Sequence, residues 1–162
     1  LRHGVAEAGA AGKPDRDRAL TTQGIARMKL QAAFFDRAGL GVERLFSSPY
    51  VRARQTADLV APALGVRVEE EVLLGCGCSF DDALELLGRA DGASGVLFVG
   101  HQPDLGQIVH AFTGSTVNVR TGTLVALDVQ RPHAYGAVLA GVYDPDVTAH
   151  VGHALREVGR RA

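Results

Sequence analysis

The sequence predicts an α/β protein, a three-layer α/β/α sandwich with a mostly parallel central sheet. Segments 42–47 and 95–99 are short apolar runs followed by turn residues, which is typical of buried strands. Helical patterns lie between them, and strands that alternate with helices favour a parallel sheet covered on both faces. The 162 residues suit one domain and no repeat or linker divides them, so we expect a single domain over 1–162.

The first two helices follow from apolar spacing and from the residues at their ends. One apolar face is formed by residues that recur with helical spacing, namely Ile25, Met28, Ala32 and Phe35. Thr21 or Thr22 is available as the N-cap of this helix. A second helix is predicted over residues 51–64, and Gly65 ends it.

The second half of the chain continues the alternation of helices and strands. Ser79, followed three residues later by Asp82, predicts a capped third helix that reaches about Leu87. Residues 124–128 and 137–143 have the composition of two strands. A closing helix is predicted from an apolar stripe at Val147, Val151, Leu155 and Val158.

Composition and charge exclude several classes of protein. Lys and Arg number 17 against 18 Asp and Glu, so a net charge of −1 gives no overall field toward nucleic acid or anionic membrane. No apolar run reaches the roughly 18 residues of a membrane span, and no basic-then-apolar leader is present. The only cysteines, Cys76 and Cys78, are too few for a disulfide framework or a closed metal site. We therefore expect a cytoplasmic protein with no metal, membrane or nucleic-acid partner.

Polar residues directly after the predicted strands are the candidates for chemistry, because ligands of parallel sheets bind beyond the carboxyl ends of the strands. His3 opens the chain beside Arg2, Arg52 follows the strand at 42–47, and His101 follows the strand at 95–99. Each residue alone is a weak signal, but convergence of all four on one edge would form a site. Two imidazoles among guanidinium groups suit phosphoryl transfer through a covalent intermediate.

Four ordered motifs carry a family resemblance over nearly the whole chain. They are residues 2–4 (RHG), 18–24 (RALTTQG), 48–57 (SPYVRARQTA) and 100–101 (GH). This order resembles the histidine phosphatase superfamily, which includes the phosphoglycerate mutases, and implies a phosphoglycerate mutase-like fold. Within that superfamily the chain is most similar to the small SixA-type phosphohistidine phosphatases, given its brevity and the forms of its second and third motifs.

The resemblance implies a role for each matching residue. His3 would be the nucleophile, while Arg2, Arg52 and His101 would hold the phosphate. Arg18 would add a phosphate or substrate contact. The second nitrogen of His3 needs an acceptor to fix its tautomer, and we expect a backbone carbonyl in the Gly4 turn. No cofactor is expected, because arginine and histidine meet the phosphate charge.

Arg54 and the candidate acids for the leaving group do not match the family pattern. Arg54 lies one position away from the family pattern and is expected to be an exposed helix charge. In many relatives, the acid that protonates the leaving group lies between the motif that contains Arg52 here and the motif that contains His101. The carboxylates in this interval are Glu69, Glu70, Glu71, Asp81 and Asp82. We select Asp81 or Asp82, although both also suit the N-terminus of a helix, where the dipole favours negative charge.

The beginning of the chain raises a question about the sheet. The family's first motif ends a central strand, and Leu1 is the only residue before it here. We expect a central strand of about five residues to precede Leu1. The alternative is a sheet without its middle strand, which would leave two neighbouring strands unpaired.

The short middle of the chain bears on the substrate. Only the 48 residues from 53 to 100 separate Arg52 from His101, which leaves little chain for a lid. An open site suits a phosphorylated side chain, so we expect phosphohistidine on a histidine-phosphotransfer domain as substrate and a monomeric enzyme. A small-molecule phosphomonoesterase acting on sugar or nucleoside phosphates is the alternative. A catalytically inactive module that binds a phosphorylated ligand is a third hypothesis, which the intact His3 and His101 disfavour.

Overall fold

The computed structural model describes residues 1–148, and its helices and strands alternate along the chain. The helices are α1 (Thr22–Ala38), α2 (Val51–Leu64), α3 (Phe80–Arg89) and α4 (Asp104–Thr113). The strands are β1 (Arg44–Ser47), β2 (Val68–Glu70), β3 (Val96–Val99), β4 (Leu124–Val129) and β5 (Ala137–Tyr143). Two short 3₁₀ turns cover Asp15–Asp17 and Val72–Leu74.

The sheet has β1 at the centre of a parallel group. β1 pairs in parallel with β2 on one side and with β3 on the other, and β4 pairs with β5 in antiparallel fashion. The segment Leu1–His3 lies between the two groups. Arg2 forms a parallel bridge with Gly100 just beyond β3, and the Arg2 amide donates to the Thr123 carbonyl just before β4 at 3.1 Å. The predicted mostly parallel sheet is confirmed, with an antiparallel pair beside it.

Alternation along the strands sends apolar side chains to both faces of the sheet. Leu45 of β1 packs in a core cluster with residues of α1 and α2, whereas its neighbour Phe46 packs in a second cluster with residues of α3 and α4. Leu97 and Phe98 of β3 divide between the same two clusters. Because successive residues of a strand point to opposite faces, helices cover the sheet on both sides. This is the predicted three-layer sandwich.

The helix ends agree with the signals in the sequence. The Thr21 hydroxyl accepts from the Gly24 amide at 2.9 Å and caps α1. Gly65 ends α2 in the left-handed conformation, with φ of 69°. Ser79 and Asp82 form a reciprocal capping box at the start of α3, which extends two residues past the predicted Leu87 to Arg89.

Other elements differ from the prediction or lie beyond the described part. β2 and α4 were not assigned from the sequence. Residues 145–148 are helical, but Val147 is exposed, and the remaining stripe positions Val151, Leu155 and Val158 lie outside the described residues. Within residues 1–148, every helix is too short or too polar to cross a lipid bilayer.

An apolar groove of about 560 Å³ separates β3 from β4. Leu1 lines it, together with residues of both strands and of α4, including Val96, Phe98, Ile108, Val125 and Leu127. The groove therefore continues the line of the segment Leu1–His3 in the direction away from Gly4.

Candidate active site

Neighbouring strand ends bring the two predicted histidines together. The His3 amide donates to the Gly100 carbonyl at 3.1 Å, and the Gly100 amide donates to the Leu1 carbonyl at 3.1 Å. This pairing places His101, the next residue after Gly100, beside His3, and the ring centroids are 5.2 Å apart. Arg52 enters from the first turn of α2, directly after β1. These residues meet at the carboxyl edge of the parallel strands.

His3 has the tautomer that a nucleophilic imidazole needs. Its Nδ1 lies 2.7 Å from the Gly4 carbonyl oxygen, which can only accept, so Nδ1 carries the proton. Nε2 therefore carries the lone pair of the ring, and this lone pair accepts a hydrogen bond from Arg52 Nε at 3.2 Å. The Gly4 amide is itself held by the Thr56 hydroxyl at 3.0 Å. The acceptor expected in the Gly4 turn is thus confirmed, with α2 anchoring the turn.

His3 is held neutral, mainly by burial. Only 8% of the residue is exposed, and desolvation is the largest cause that lowers its pKa, to about 4 from 6.5. The charges of Arg52, Arg2 and Arg18 lower this pKa further, while the hydrogen bond to Gly4 acts in the opposite direction. The arginine effect expected from the sequence is present, but burial exceeds it.

His101 is buried more deeply and is tied at one nitrogen. Its Nε2 lies 2.8 Å from the Ser48 hydroxyl oxygen, and that oxygen accepts from the Tyr50 amide at 3.3 Å. Burial lowers the pKa of His101 to about 3, and the charges of His3 and Arg52 add to this shift. Its Nδ1 is buried and has no hydrogen-bond partner among the described residues. An unpaired buried nitrogen is costly. When Nδ1 carries the ring proton and Nε2 accepts from the Ser48 hydroxyl, Nδ1 can donate a hydrogen bond to a phosphoryl oxygen.

Arg52 and Arg2 differ in how many of their guanidinium nitrogens have hydrogen-bond partners. Arg52 is 4% exposed, and beyond its contact with His3 its Nη1 and Nη2 donate to Asp15, to the carbonyl at 2.7 Å and to Oδ2 at 2.9 Å. Arg2 donates from Nη1 to the Val119 carbonyl at 3.0 Å, while its Nε is buried without a partner in the described part. Burial and the nearby Arg52 charge both lower the pKa of Arg2. Two guanidinium groups thus share one small region.

Arg18 reaches the site through Asp15. Its Nη1 donates to Asp15 Oδ1 at 2.7 Å, and its Nε donates to the Glu7 carbonyl at 2.7 Å. The motif at 18–24 is held close to the site because Gly24 approaches the Val5 carbonyl so tightly that a Cβ would lie 2.1 Å from its oxygen. Asp15 therefore bridges Arg18 and Arg52 at the rim. Sequence reasoning missed Asp15, although its i, i+3 spacing from Arg18 was a usable signal.

Most of the candidate acids have other partners. Glu69, Glu70 and Glu71 pair with Arg44, Arg54 and Arg89, respectively. Asp82 accepts from the amide and hydroxyl of Ser79 in the capping box, and Asp81 is exposed in the same helical turn. The structure thus brings neither aspartate into contact with His3, Arg52 or His101. Arg54 is half-buried, with 40% of its side chain exposed, and it pairs with Asp58 and Glu70 on the surface of α2, as expected for a helix charge outside the site.

A cysteine lies where the sequence left room for an acid. Cys76 Sγ is 3.8 Å from Arg52 Nη2, and burial raises the pKa of its thiol. Cys78 is buried, and neither cysteine is in a disulfide. Within residues 1–148, no group of three or more His, Cys, Asp or Glu side chains is arranged to hold a metal ion.

Comparisons with known proteins identify relatives of this chain in sequence and in structure. The family model of the histidine phosphatase superfamily (branch 1) matches residues 1–74. An uncharacterised protein of Picosynechococcus is 38% identical over 134 residues, which is 78% of this chain and 81% of that protein. Phosphohistidine phosphatase SixA of Escherichia coli is 32% identical over 117 residues, covering 67% of this chain and 69% of SixA. A structure of the protein histidine phosphatase SixA with tungstate superimposes with a TM-score of 0.79 at 27% identity, over 91% of this chain and 96% of that one.

The fold, the paired histidines and these relatives together define a phosphatase, a hydrolase of phosphorylated substrates. The chain belongs to the histidine phosphatase superfamily, with SixA homologues among its relatives in both sequence and structure.

Proposed function

We propose that the enzyme removes the phosphoryl group from phosphohistidine on a protein, such as a histidine-phosphotransfer domain, by way of a phosphohistidine formed on His3. The observation that carries this proposal is the His3 ring itself, with Nδ1 bonded to the Gly4 carbonyl and the Nε2 lone pair facing Arg52. A neutral imidazole whose tautomer is fixed in this way is an activated nucleophile.

The reaction proceeds in two displacements. The Nε2 lone pair of His3 attacks phosphorus, a new P–N bond forms, and the bond to the departing nitrogen breaks with its electron pair going to that nitrogen. Water then attacks the phosphoenzyme, and the electron pair of the P–Nε2 bond returns to His3. Arg2, Arg52 and His101 stabilise the charge on the phosphoryl oxygens in both steps. Nδ1 keeps its proton throughout and donates it in a hydrogen bond to the Gly4 carbonyl.

The leaving group favours a P–N substrate over a phosphoester. An imidazole that carries a proton on its second nitrogen leaves as a neutral molecule, whereas an alkoxide needs a proton from an acid. Among the described residues, the carboxylate in contact with the site arginines is Asp15. Hydrogen bonds from Arg18 and then from Arg52 lower its pKa, so it is ionised and holds no proton to give.

Access to the site supports a protein substrate. Between α2 and β3 the chain contains only β2, a 3₁₀ turn and α3, which leaves no long insertion to cover His3. The E. coli relative, named a phosphohistidine phosphatase, is matched over 69% of its length. A phosphorylated side chain on the surface of another protein fits a site that is reached in this way.

The test compares turnover of two substrate types by the same enzyme. We expect kcat/KM for a phosphorylated histidine-phosphotransfer domain to exceed that for sugar, nucleoside and serine phosphates by at least about a hundredfold. Substitution His3→Ala should abolish turnover and prevent trapping of an acid-labile ³²P-labelled phosphoenzyme, while the thermal unfolding curve stays cooperative.

The exposed His133, in the connection between β4 and β5, provides a matched control, because His133→Ala should keep wild-type turnover. A small phosphoester with the highest kcat/KM would instead make the enzyme a phosphomonoesterase. One tenth of wild-type activity in His3→Ala would remove His3 as the nucleophile.

A further inference from the structure

Asp15 occupies the groups that are expected to bind the phosphoryl oxygens. Its Oδ2 accepts from Arg52 Nη2 at 2.9 Å and its carbonyl accepts from Arg52 Nη1 at 2.7 Å. Its other carboxylate oxygen accepts from Arg18 at 2.7 Å. A carboxylate and a phosphoryl group offer similar oxygen pairs to a guanidinium fork, so the two compete for the same donors.

The segment that carries Asp15 is lightly held. Asp15 lies on the 3₁₀ turn Asp15–Asp17, which contains no buried residue, and 56% of the Asp15 side chain is exposed. The preceding residues 8–14 are exposed as well. Arg52 by contrast is buried and fixed by His3. Withdrawal of Asp15 from Arg52 therefore disturbs little packing, whereas movement of Arg52 would disturb the nucleophile.

We propose that Asp15 is a specificity-determining residue, which competes with the substrate's phosphoryl group for Arg52 and Arg18 and so selects substrates whose leaving group carries a positive charge. This inference deepens the proposed function and rests on it. A dianionic phosphoester must displace the carboxylate and then lie beside its negative charge. A phosphoimidazole that is protonated on its second nitrogen brings a cation for that same carboxylate.

The selection acts on the protonated form of the substrate. A negative charge at the rim raises the fraction of bound phosphoimidazole that holds the ring proton, because opposite charges attract. That form is the one whose P–N bond breaks to release neutral imidazole, with the electron pair moving to the ring nitrogen. Asp15 gives up no proton in this step. The carboxylate thus disfavours phosphoester binding and favours the reactive form of the P–N substrate.

The experiment uses the Asp15→Asn substitution, which removes the charge and keeps the shape. We expect the inhibition constant of orthovanadate to fall about tenfold, since one charge near an exposed anion site changes affinity by about this factor. The ratio of kcat/KM for N-phosphoimidazole to kcat/KM for phenyl phosphate should also fall about tenfold. Asp17→Asn, which alters an exposed carboxylate two residues along the same turn, should leave both quantities at their wild-type values.

Two results would overturn the inference. An unchanged ratio, including one in which kcat/KM falls equally for both substrates, would make Asp15 a residue that only orients Arg52. Weaker vanadate inhibition in Asp15→Asn would do the same. Thermal unfolding of each variant establishes that the fold is kept, and Asp15→Ala repeats the test if Asp15→Asn unfolds. Because the ratio uses small substrates, it is independent of the phosphorylated protein, whose failure as a substrate would count against the proposed function alone.

Discussion

Burial of two imidazoles gives the site its chemistry and also makes the fold sensitive to acid. His3 and His101 are 8% and 2% exposed, and desolvation is the main cause of the low pKa of each ring. Neutral rings can attack phosphorus or donate one hydrogen bond at neutral pH. Since the unfolded chain has no such burial, its histidines take up protons at a higher pH than the folded chain does.

Protein stability should therefore decrease as pH falls below neutral. Unfolded histidines bind protons near pH 6.5, whereas the folded rings bind them only near pH 4 at His3 and pH 3 at His101. Their contribution is complete above about pH 6.5 and is lost as pH falls toward these folded values. For His101 alone the loss between about pH 7 and pH 5 is roughly 2 kcal/mol.

Urea unfolding followed by circular dichroism at these two pH values measures the effect. His101→Gln should flatten the dependence on pH, while His133→Gln, at an exposed position, should keep the wild-type slope. If the free energy of unfolding of His101→Gln still depended on pH as in the wild type, His101 would not be a source of this pH dependence.

The site could be predicted from the sequence to the extent that its residues follow strands. His3, Arg52 and His101 each come directly after a segment of the parallel sheet, and one topological rule brings them together. Asp15 does not follow this rule. It lies in a run of alternating charges, Asp15 to Arg18, in which only the tertiary position of the turn shows which carboxylate meets Arg52.

Local signals decided how well each element could be predicted. α1, α2 and α3 were found because caps and glycine stops depend on residues only three or four apart. β2 was not predicted because its three residues are too few to show the period of a strand. Its position depends on pairing with β1, which is distant in sequence. α4 was missed although Leu105, Ile108, Val109 and Phe112 recur with helical spacing on its buried face.

The capping box of α3 provides a test at the scale of the element. Ser79→Ala and Asp82→Ala should each lower the free energy of unfolding by about 1 kcal/mol, because each leaves an amide at the helix start without a partner. Neither substitution should change kcat, since the Asp82 carboxylate accepts its hydrogen bonds from Ser79 and not from a residue of the site. Denaturant unfolding and steady-state kinetics on the same preparations check both statements. A loss of kcat in Asp82→Ala without loss of stability would instead support Asp82 as the general acid.

At the scale of the whole molecule, a groove separates the parallel group β2-β1-β3 from the antiparallel pair β4-β5. Leu1–His3 crosses only its end, where the Leu1 amine donates to the Phe98 carbonyl and the Arg2 amide to the Thr123 carbonyl. An extended segment leading into Leu1 would run parallel to β3 and fill the groove. The groove is therefore a place where an added apolar strand would pair with β3.

A strand placed there should stabilise the protein. Parallel strands at the centre of a sheet are buried on both faces, so the fitting sequence is continuously apolar. Five Val or Ile residues fused before Leu1 should raise the free energy of unfolding by roughly 2 kcal/mol or more, because apolar burial and new strand hydrogen bonds exceed the cost of ordering the segment. A Gly-Ser extension of equal length is the matched control, and urea unfolding measures both. Equal stability of the two fusions would show that the groove does not receive a strand, and a gain limited to the apolar fusion, with kcat retained, would establish that the sheet closes behind His3.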